Sequence, residues 1–492
     1  MRATALRTGL PGAMITLTVK DICRACGGEL LSGSPGTEIN AISTDTRGEL
    51  AGSLFVGLKG ERYDGGDFAA RALQQGAAGV LAEGVAARSL AAALPPGTGG
   101  SAVIIAAADS TGALGRIAAL SASRTGARII AITGSSGKTS TKDILKGLLA
   151  GRMEVTASRG SFNNEVGVPL TLLEADEDTE AVIVEMGMQG PGEISRLCEI
   201  AAPDIGVITN VGPSHLQFTG SLEKIAAGKA ELASCLPPGG GLVTPFGDRL
   251  LEPHLEGLEL ERLTFGFDMD ADIHPLSETT GSEGMHVVID CAGEELELRF
   301  NFTARHHLLN AMAALGVYRL MRQPLAAAPP AAAAVTLSAR RGERLQAPGG
   351  ILIIDDCYNA NPLSMESSLE HLVTTASGAR SVAVLGDMGE LGEQEEELHR
   401  DVGRKAAESG VDMIVAVGRL AAAYIEGAAE VDSDRRDIHF SDRAGAVAGA
   451  GAALRPGDVV LVKGSRFMGL EELVAALMAA GPGHAGGQGE GD

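Results

Sequence analysis

The run Ile129–Leu145, IIAITGSSGKTSTKDIL, constrains this chain more than any other segment. An apolar strand ends in a short Gly/Ser turn. Lys138, Thr139 and Ser140 follow, and then a helical pattern. Such a turn aims several backbone N–H groups at one point, where the next helix also presents its positive end. Gly134, Ser135, Ser136 and Gly137 form the turn, Lys138 adds a point charge, and Thr139 adds a hydroxyl suited to Mg²⁺. The ligand that matches these features is the polyphosphate of a nucleotide. The usual phosphate loop places its first glycine five residues before the second. Here Gly134 lies three before Gly137, and Ile132 holds the earlier position. The loop is therefore a short variant.

The chain has 492 residues, enough for about three ordinary domains, and a formal net charge of −23. That charge repels nucleic acid and anionic membranes, and no basic patch offsets it. Six cysteines are scattered, and Cys23 and Cys26 form a CxxC with no second pair at zinc-finger spacing. They read as ordinary thiols on the first helix. Met1–Met14 lacks a continuous apolar core, and no apolar stretch reaches membrane-spanning length. The expectation is a cytoplasmic protein.

Repeated strand–loop–helix units imply an α/β protein with parallel sheets. Strands are expected at Ile129–Ile132, Ala181–Glu185, Ile205–Thr209 and Gly241–Thr244, and again at Ile351–Asp355, Ser381–Leu385, Met413–Val417 and Val459–Val462. A more antiparallel section spans Met285–Phe302. Gln323–Val335 (QPLAAAPPAAAAV) reads as an Ala/Pro linker and as the region of a hinge, near Gln323–Ser338. The division expected is a small mixed N-terminal domain at 1–125, a central ATP-binding domain at 126–325, a doubly wound, Rossmann-like C-terminal domain at 326–480, and a disordered tail at 481–492.

Chemistry-bearing residues gather at strand ends, where ligands of open parallel sheets bind. Glu185 ends an apolar strand and suits a Mg²⁺ ligand. His215 lies just past another strand end; alone it reads as a packed or solvated histidine, and its place in a strand-end loop makes a functional role an equal reading. Lys229 sits on a helix, where sequence physics alone makes it a solvated charge. Asn163 and Asn164 read as a cap or turn. His306 and Asn310 share a helix face, and an asparagine there can read an adenine edge. Asp355–Met365 (DDCYNANPLSM) crowds polar groups at a strand end, with Arg340, Arg341 and Arg344 upstream. GDMGE (Gly386–Glu390) and KGSR (Lys463–Arg466) end two further strands.

Together these residues resemble the Mur ligase family, ATP-dependent amide-forming enzymes of peptidoglycan precursor synthesis. The resemblance covers TGSSGKTSTK, SFNNEVGVPLTLL, EMGMQGPGEIS, DDCYNANPLSM, LGDMGELG and KGSR, and within the family it is similar to the branch that adds D-alanyl-D-alanine. It implies a substrate UDP-MurNAc-tripeptide, held by Ser43, Thr44, Asp45, Thr46, Arg47, Lys59, Gly60, Asn163 and Asn164. It implies ATP on the loop, with Asn310 at the adenine and Arg341 and Asp356 reaching the nucleotide. Thr139 and Glu185 would belong to one Mg²⁺, His215 and a carbamylated Lys229 to a second. Tyr358, Asn359 and Asn361 would meet D-Ala-D-Ala. Catalysis would fall to Lys138, Lys229, His215, Glu185 and Arg341 in a monomer that binds no nucleic acid and inserts in no membrane.

The chain departs from the family pattern at Gly66, at Met188–Gly190, at Arg340, and at Phe467 and Gly469. Other readings of the short loop are another Mur-type or folylpolyglutamate-type ligase and, in a different class, a P-loop kinase or ATPase.

Overall fold

The computed structural model describes residues 14–60, 62–93 and 102–480. The expected tail, 481–492, and Met1–Gly12 with Ala13 lie outside them. Three α/β domains follow one another. The N-terminal domain carries a five-stranded sheet ordered Glu29–Ser32, Val103–Ala107, Gly79–Glu83, Leu54–Val56, Ile42–Ser43. The last four pair in parallel, and Glu29–Ser32 is antiparallel at the edge. Cys23 and Cys26 are free thiols on the helix Val19–Cys26.

The central domain is built on a nine-stranded sheet. Arg128–Thr133 lies in its middle, with Ala181–Glu185 on one side and Ile205–Ile208 on the other, all parallel. In register, Glu185 stands opposite Ile132 and Ile208 opposite Thr133, so three strand ends open at one level. All three strands are buried runs of Ile, Val and Ala, as a sheet covered on both faces requires. Beyond Gly241–Pro245 and Glu261–Phe265, the sheet turns antiparallel through Ile273–Gly281, Gly284–Cys291 and Glu295–Phe300.

The C-terminal sheet has six strands, ordered Glu343–Ala347, Ile351–Asp355, Val459–Lys463, Ser381–Gly386, Met413–Val417, Ile438–Phe440. All neighbours are parallel except the first pair. The strands that precede DCYNANP, KGSR and GDMGE are thus adjacent and open on one edge.

Two packing features bear on the site. The helix Ser110–Thr125, capped by Asp109 accepting from Thr111 and Gly112 N–H at 3.0 Å each, belongs to a single apolar core that runs from Met14 to Leu255. N-terminal and central domains share that core. The C-terminal domain has its own, drawn only from residues after 344.

The expected linker is a correction. Leu325–Ala327 is a 3₁₀ turn and Ala328–Ala333 a helix with its prolines in the first turn, where a missing N–H costs nothing. Leu325, Ala328, Ala332 and Val335 are buried in the central domain's core. Any pivot therefore falls later, near Arg340 and Gly342, which stand at φ +63° and +75°.

Candidate active site

The loop Gly134–Gly137 closes the strand Arg128–Thr133 and feeds the helix Lys138–Leu149. Gly137 has φ +83°, and the helix begins with no side-chain cap, so its first N–H groups remain open. A Cβ on Gly134 would overlap Thr209 Oγ1, and one on Gly137 would overlap Asn310 Oδ1. The next strand end pins the loop: Asn210 O accepts from Ser135 N (3.2 Å), and Asn210 Oδ1 accepts from Ser136 N (2.9 Å). Ser135 Oγ donates to Gly212 O at 2.8 Å and accepts from Ser214 Oγ at 3.0 Å. Ser140 is buried beneath the first turn.

Thr139 Oγ1 is a junction. It donates to Glu185 Oε2 at 3.0 Å and accepts from Arg341 Nη2, of the C-terminal domain, at 2.8 Å. The Arg341 guanidinium lies over the Tyr358 ring, 4.3 Å from its centroid, and its Nε is buried with no partner. Glu185 is fully buried. Its Oε1 makes no hydrogen bond but faces Lys142 Nζ at 3.3 Å. Lys142, not singled out from the sequence, also donates to Ser158 O (2.9 Å) and Gly160 O (3.1 Å). Its position one helical turn after Lys138, on the loop's own helix, was the available signal.

Lys138 donates to Gly134 O at 2.6 Å. Burial pulls its ammonium below the usual range; Glu185 opposes that, and Arg341 adds to it. Lys229 corrects the sequence reading of a solvated charge: it is 2 % exposed. Burial, then the nearby Lys138 charge, pushes its pKa well below that of a free lysine. Among the described residues it has no hydrogen-bond or ion-pair partner. Small neighbours Ala226, Gly228 and Ala230 let its helix pack this closely. His215 meets Glu390 of the C-terminal domain through Nδ1. Burial lowers its pKa, Glu390 raises it, and the charges of Lys138 and Lys229 lower it further.

The remaining sites separate. Asn310 Oδ1 accepts from Thr141 Oγ1 at 3.4 Å, beside Gly137. Asp356 Oδ2 accepts from Lys463 Nζ and Ser368 Oγ, each at 2.6 Å. Asn359 O accepts from the same ammonium at 3.2 Å. Asn361 caps the helix Pro362–Ala376 and donates to Ser135 O at 3.2 Å, across to the phosphate loop. Tyr358 Oη touches Ser161 Oγ in the segment carrying Asn163 and Asn164. Asn163 O accepts from Gly187 N at 2.8 Å, and Asn164 Oδ1 from Gly167 N at 2.9 Å. Of the three upstream arginines only Arg341 reaches the loop; Arg340 faces Glu471 and Arg344 donates to Ser282 O.

Ser43, Thr44, Asp45, Thr46 and Arg47 follow one N-terminal strand, and Lys59 and Gly60 the neighbouring one. Ser43 Oγ accepts from Asp45 N at 3.2 Å, Thr46 is buried, Arg47 pairs with Asp45 at 2.7 Å, and Lys59 faces Glu83 at 3.6 Å. No hydrogen bond among the described residues joins this group to Asn163 or Asn164. Gly66 is close-packed: a Cβ there would stand 2.7 Å from Ala86 Cβ.

The Mur ligase middle domain matches residues 132–318, the Mur ligase glutamate ligase domain residues 340–466, and the Mur ligase family catalytic domain residues 38–121. The UDP-N-acetylmuramoyl-tripeptide–D-alanyl-D-alanine ligase of Bacillus subtilis (strain 168) is 34% identical over 466 residues, covering 94% of this chain and 99% of its own. The protein of the same name from Escherichia coli (strain K12) is 31% identical, covering 95% and 100%. Among solved structures, MurF from Acinetobacter baumannii superposes with a TM-score of 0.83 at 29% identity over 95% of this chain and 99% of that one. MurF from Thermotoga maritima in complex with ADP gives 0.76 at 27% identity, covering 89% and 97%. Folylpolyglutamate synthase from Mycobacterium tuberculosis shares the fold, with a TM-score of 0.57 at 18% identity over 75% of this chain and 96% of that one. With three successive domains matched and relatives alike from end to end, the chain belongs to the Mur ligase family.

Proposed function

We propose that this protein joins D-alanyl-D-alanine to the free carboxylate of UDP-MurNAc-tripeptide, at the expense of ATP. The observation that carries the reading is the Thr139 junction. There a phosphate loop, a buried carboxylate and an arginine from the C-terminal domain converge, with Arg341 Nε and Glu185 Oε1 both lacking hydrogen bonds. Arg341 Nε suits an anion, and Glu185, whose Oε1 faces the Lys142 ammonium at 3.3 Å without a hydrogen bond, suits a cation.

The tripeptide carboxylate attacks the γ-phosphorus of ATP, the bond to the β-phosphate oxygen breaks, and ADP leaves an acyl phosphate. The D-Ala-D-Ala amine attacks the acyl carbon, loses a proton, and inorganic phosphate departs. Lys138, the loop N–H groups and Arg341 hold the phosphates and oppose charge that builds on the transferring group. Asn310 abuts Gly137 and is assigned to the adenine. Asp356, fixed by Lys463, is assigned to the nucleotide. Ser43–Arg47, Lys59, Gly60, Asn163 and Asn164 are assigned to the UDP-tripeptide, and Tyr358, Asn359 and Asn361 to the acceptor. Contact between the domains excludes water from the acyl phosphate.

The donors fit Mg²⁺. Among the described residues no three His, Cys, Asp or Glu gather into a ready-made cage. Mg²⁺ is commonly held by one or two side chains together with substrate phosphates. Thr139 and Glu185 would hold one ion, His215 and Lys229 the second. When bound, the ions supply charge neutralisation on the phosphates. Lys229 suits this role as a carbamate: its depressed pKa favours the neutral amine, which adds CO₂ and releases a proton to become an anionic oxygen ligand. We take the enzyme to act as a monomer. No helix among the described residues is long and apolar enough to cross a membrane. We place the enzyme in the cytoplasm.

The test is phosphate release from ATP with UDP-MurNAc-tripeptide, with and without D-Ala-D-Ala. Release that needs both, with one amide formed per phosphate, is expected. Release indifferent to D-Ala-D-Ala would overturn the assignment.

A further inference from the structure

The loop that follows the strand Ser381–Gly386 is held from within its own domain. The Asp387 carboxylate accepts from the N–H groups of Arg419 (3.0 Å), Leu420 (3.0 Å) and Ala421 (2.8 Å). Met388 N donates to His399 Nε2 at 2.8 Å, and Gly389 N to Ser465 Oγ at 2.9 Å. Glu390 breaks the pattern. Its backbone stands at φ +62°, a conformation that disfavours any residue with a Cβ. Among the described residues, its side chain has no partner in its own domain.

Its contacts lie across the interface. A carboxylate oxygen meets His215 Nδ1, and its carbonyl accepts from Gln217 N at 3.1 Å. His215 is also left-handed, at φ +56°. Gly392, two residues on, packs so closely that a Cβ would stand 3.1 Å from Gln217 Cα. A rigid loop thus presents one strained carboxylate to one strained histidine of another domain. Ser214, the residue before that histidine, is bonded to the phosphate loop through Ser135.

We propose that Glu390 is a positioning residue: by pairing its carboxylate with Nδ1 of His215 where the domains meet, a nitrogen that makes no other polar contact among the described residues, it fixes the imidazole so that Nε2 is offered to the metal–nucleotide side. A histidine held by a carboxylate at one nitrogen keeps its lone pair, and its aim, at the other. Among the described residues Nε2 has no hydrogen-bond partner. The consequence is a coupling. Readiness of the ATP side depends on docking of the domain that carries the acceptor contacts. The inference rests on the ligase reading for the role of His215, but its readout needs neither tripeptide nor dipeptide.

The experiment is Mn²⁺ binding to the full chain with a non-hydrolysable ATP analogue, followed by electron paramagnetic resonance. Three proteins are compared: the parent, Glu390→Gly and Glu390→Gln. Glycine relieves the left-handed backbone, so that variant is expected to melt no lower than the parent while Mn²⁺ affinity falls about 10–100-fold. Glutamine keeps an acceptor oxygen and should retain most of the affinity. In turnover, Glu390→Gly should lower kcat with little change in the KM for ATP. Unchanged Mn²⁺ affinity in Glu390→Gly, or equal losses in both variants, would overturn the proposal. Failure of the parent to form an amide would instead reject the ligase reading.

Discussion

Replacing Lys142 by methionine isolates the buried charge beneath the phosphate loop. Lys142 is 3 % exposed and Glu185 fully buried, so solvent screens their 3.3 Å pairing very little. The substitution keeps the apolar stem but removes the ammonium. It strips Glu185 of its paired counter-charge, Lys138 remaining nearby, removes the partner of Asp143, and leaves Ser158 O and Gly160 O without this donor. Breaking a buried ion pair from one side costs about 3–5 kcal/mol, because the surviving charge is left unpaired. For a cooperative unit of this size, each kcal/mol lowers Tm by roughly 2–4 °C, which gives a drop of about 6–20 °C. Scanning calorimetry or circular dichroism at pH 7.5 reads it. The double variant Lys142→Met with Glu185→Gln removes both charges and should melt above the sum of the single losses, with a coupling of at least about 1 kcal/mol. A fall in Tm below about 3 °C for Lys142→Met, or strict additivity in the double variant, would refute the reasoning.

Three histidines on facing helices, His306, His307 and His371, make the domain contact acid-sensitive. Burial is the main cause that holds His307 and His371 down at about 4 and His306 well below its usual value, with Asp356 opposing and Lys463, Arg341 and Arg344 adding positive charge nearby. Between pH 6.5 and 4 the unfolded chain binds protons that the folded chain refuses. Stability should therefore fall with pH in that window, by roughly 3 kcal/mol each for His307 and His371, and a His371→Gln variant should flatten the Tm-versus-pH curve. Arg341→Lys removes the stacked, forked donor and should lower kcat/KM at least about 10-fold in steady-state assays, since lysine cannot reproduce a planar fork on an aromatic face. Lys229→Ala should abolish amide formation, with partial recovery on adding short carboxylic acids; activity unchanged by the substitution would make Lys229 a packing residue only.

Much of the central and C-terminal architecture is legible in the sequence because buried parallel strands are continuous apolar runs. Ala181–Glu185, Ile351–Asp355 and Met413–Val417 coincide with the segments expected. Edge and mixed strands such as Glu261–Phe265 and Glu343–Ala347 alternate polar with apolar residues and carry no such signal. The Ala/Pro segment misleads because alanine is both a low-complexity residue and a strong helix former. Two prolines in a first turn start a helix as readily as they mark a linker. Phosphate-loop chemistry is local and so readable. The burial of Lys229 and the reach of Glu390 to His215 depend on which helices and domains meet, which no local pattern encodes.

The apolar core shared by the first two domains, with members from Met14 to Leu255, has a consequence for how such a chain can change over time, although the N-terminal sheet also carries a small core of its own around Phe55 and Val80. The N-terminal and central domains are welded together through the helix Ser110–Thr125, so altering one disturbs the other's packing. The last domain, with cores of its own, docks through contacts that include polar ones at Thr139, Ser135, Ser161, His215 and Ser282 and the helix contact at His306 and His371. A fragment beginning near residue 343 should fold by itself, whereas one ending near residue 125 should not. Recombination that exchanges the last domain is therefore the structurally easy exchange, and one that exchanges the first domain alone is the hard one.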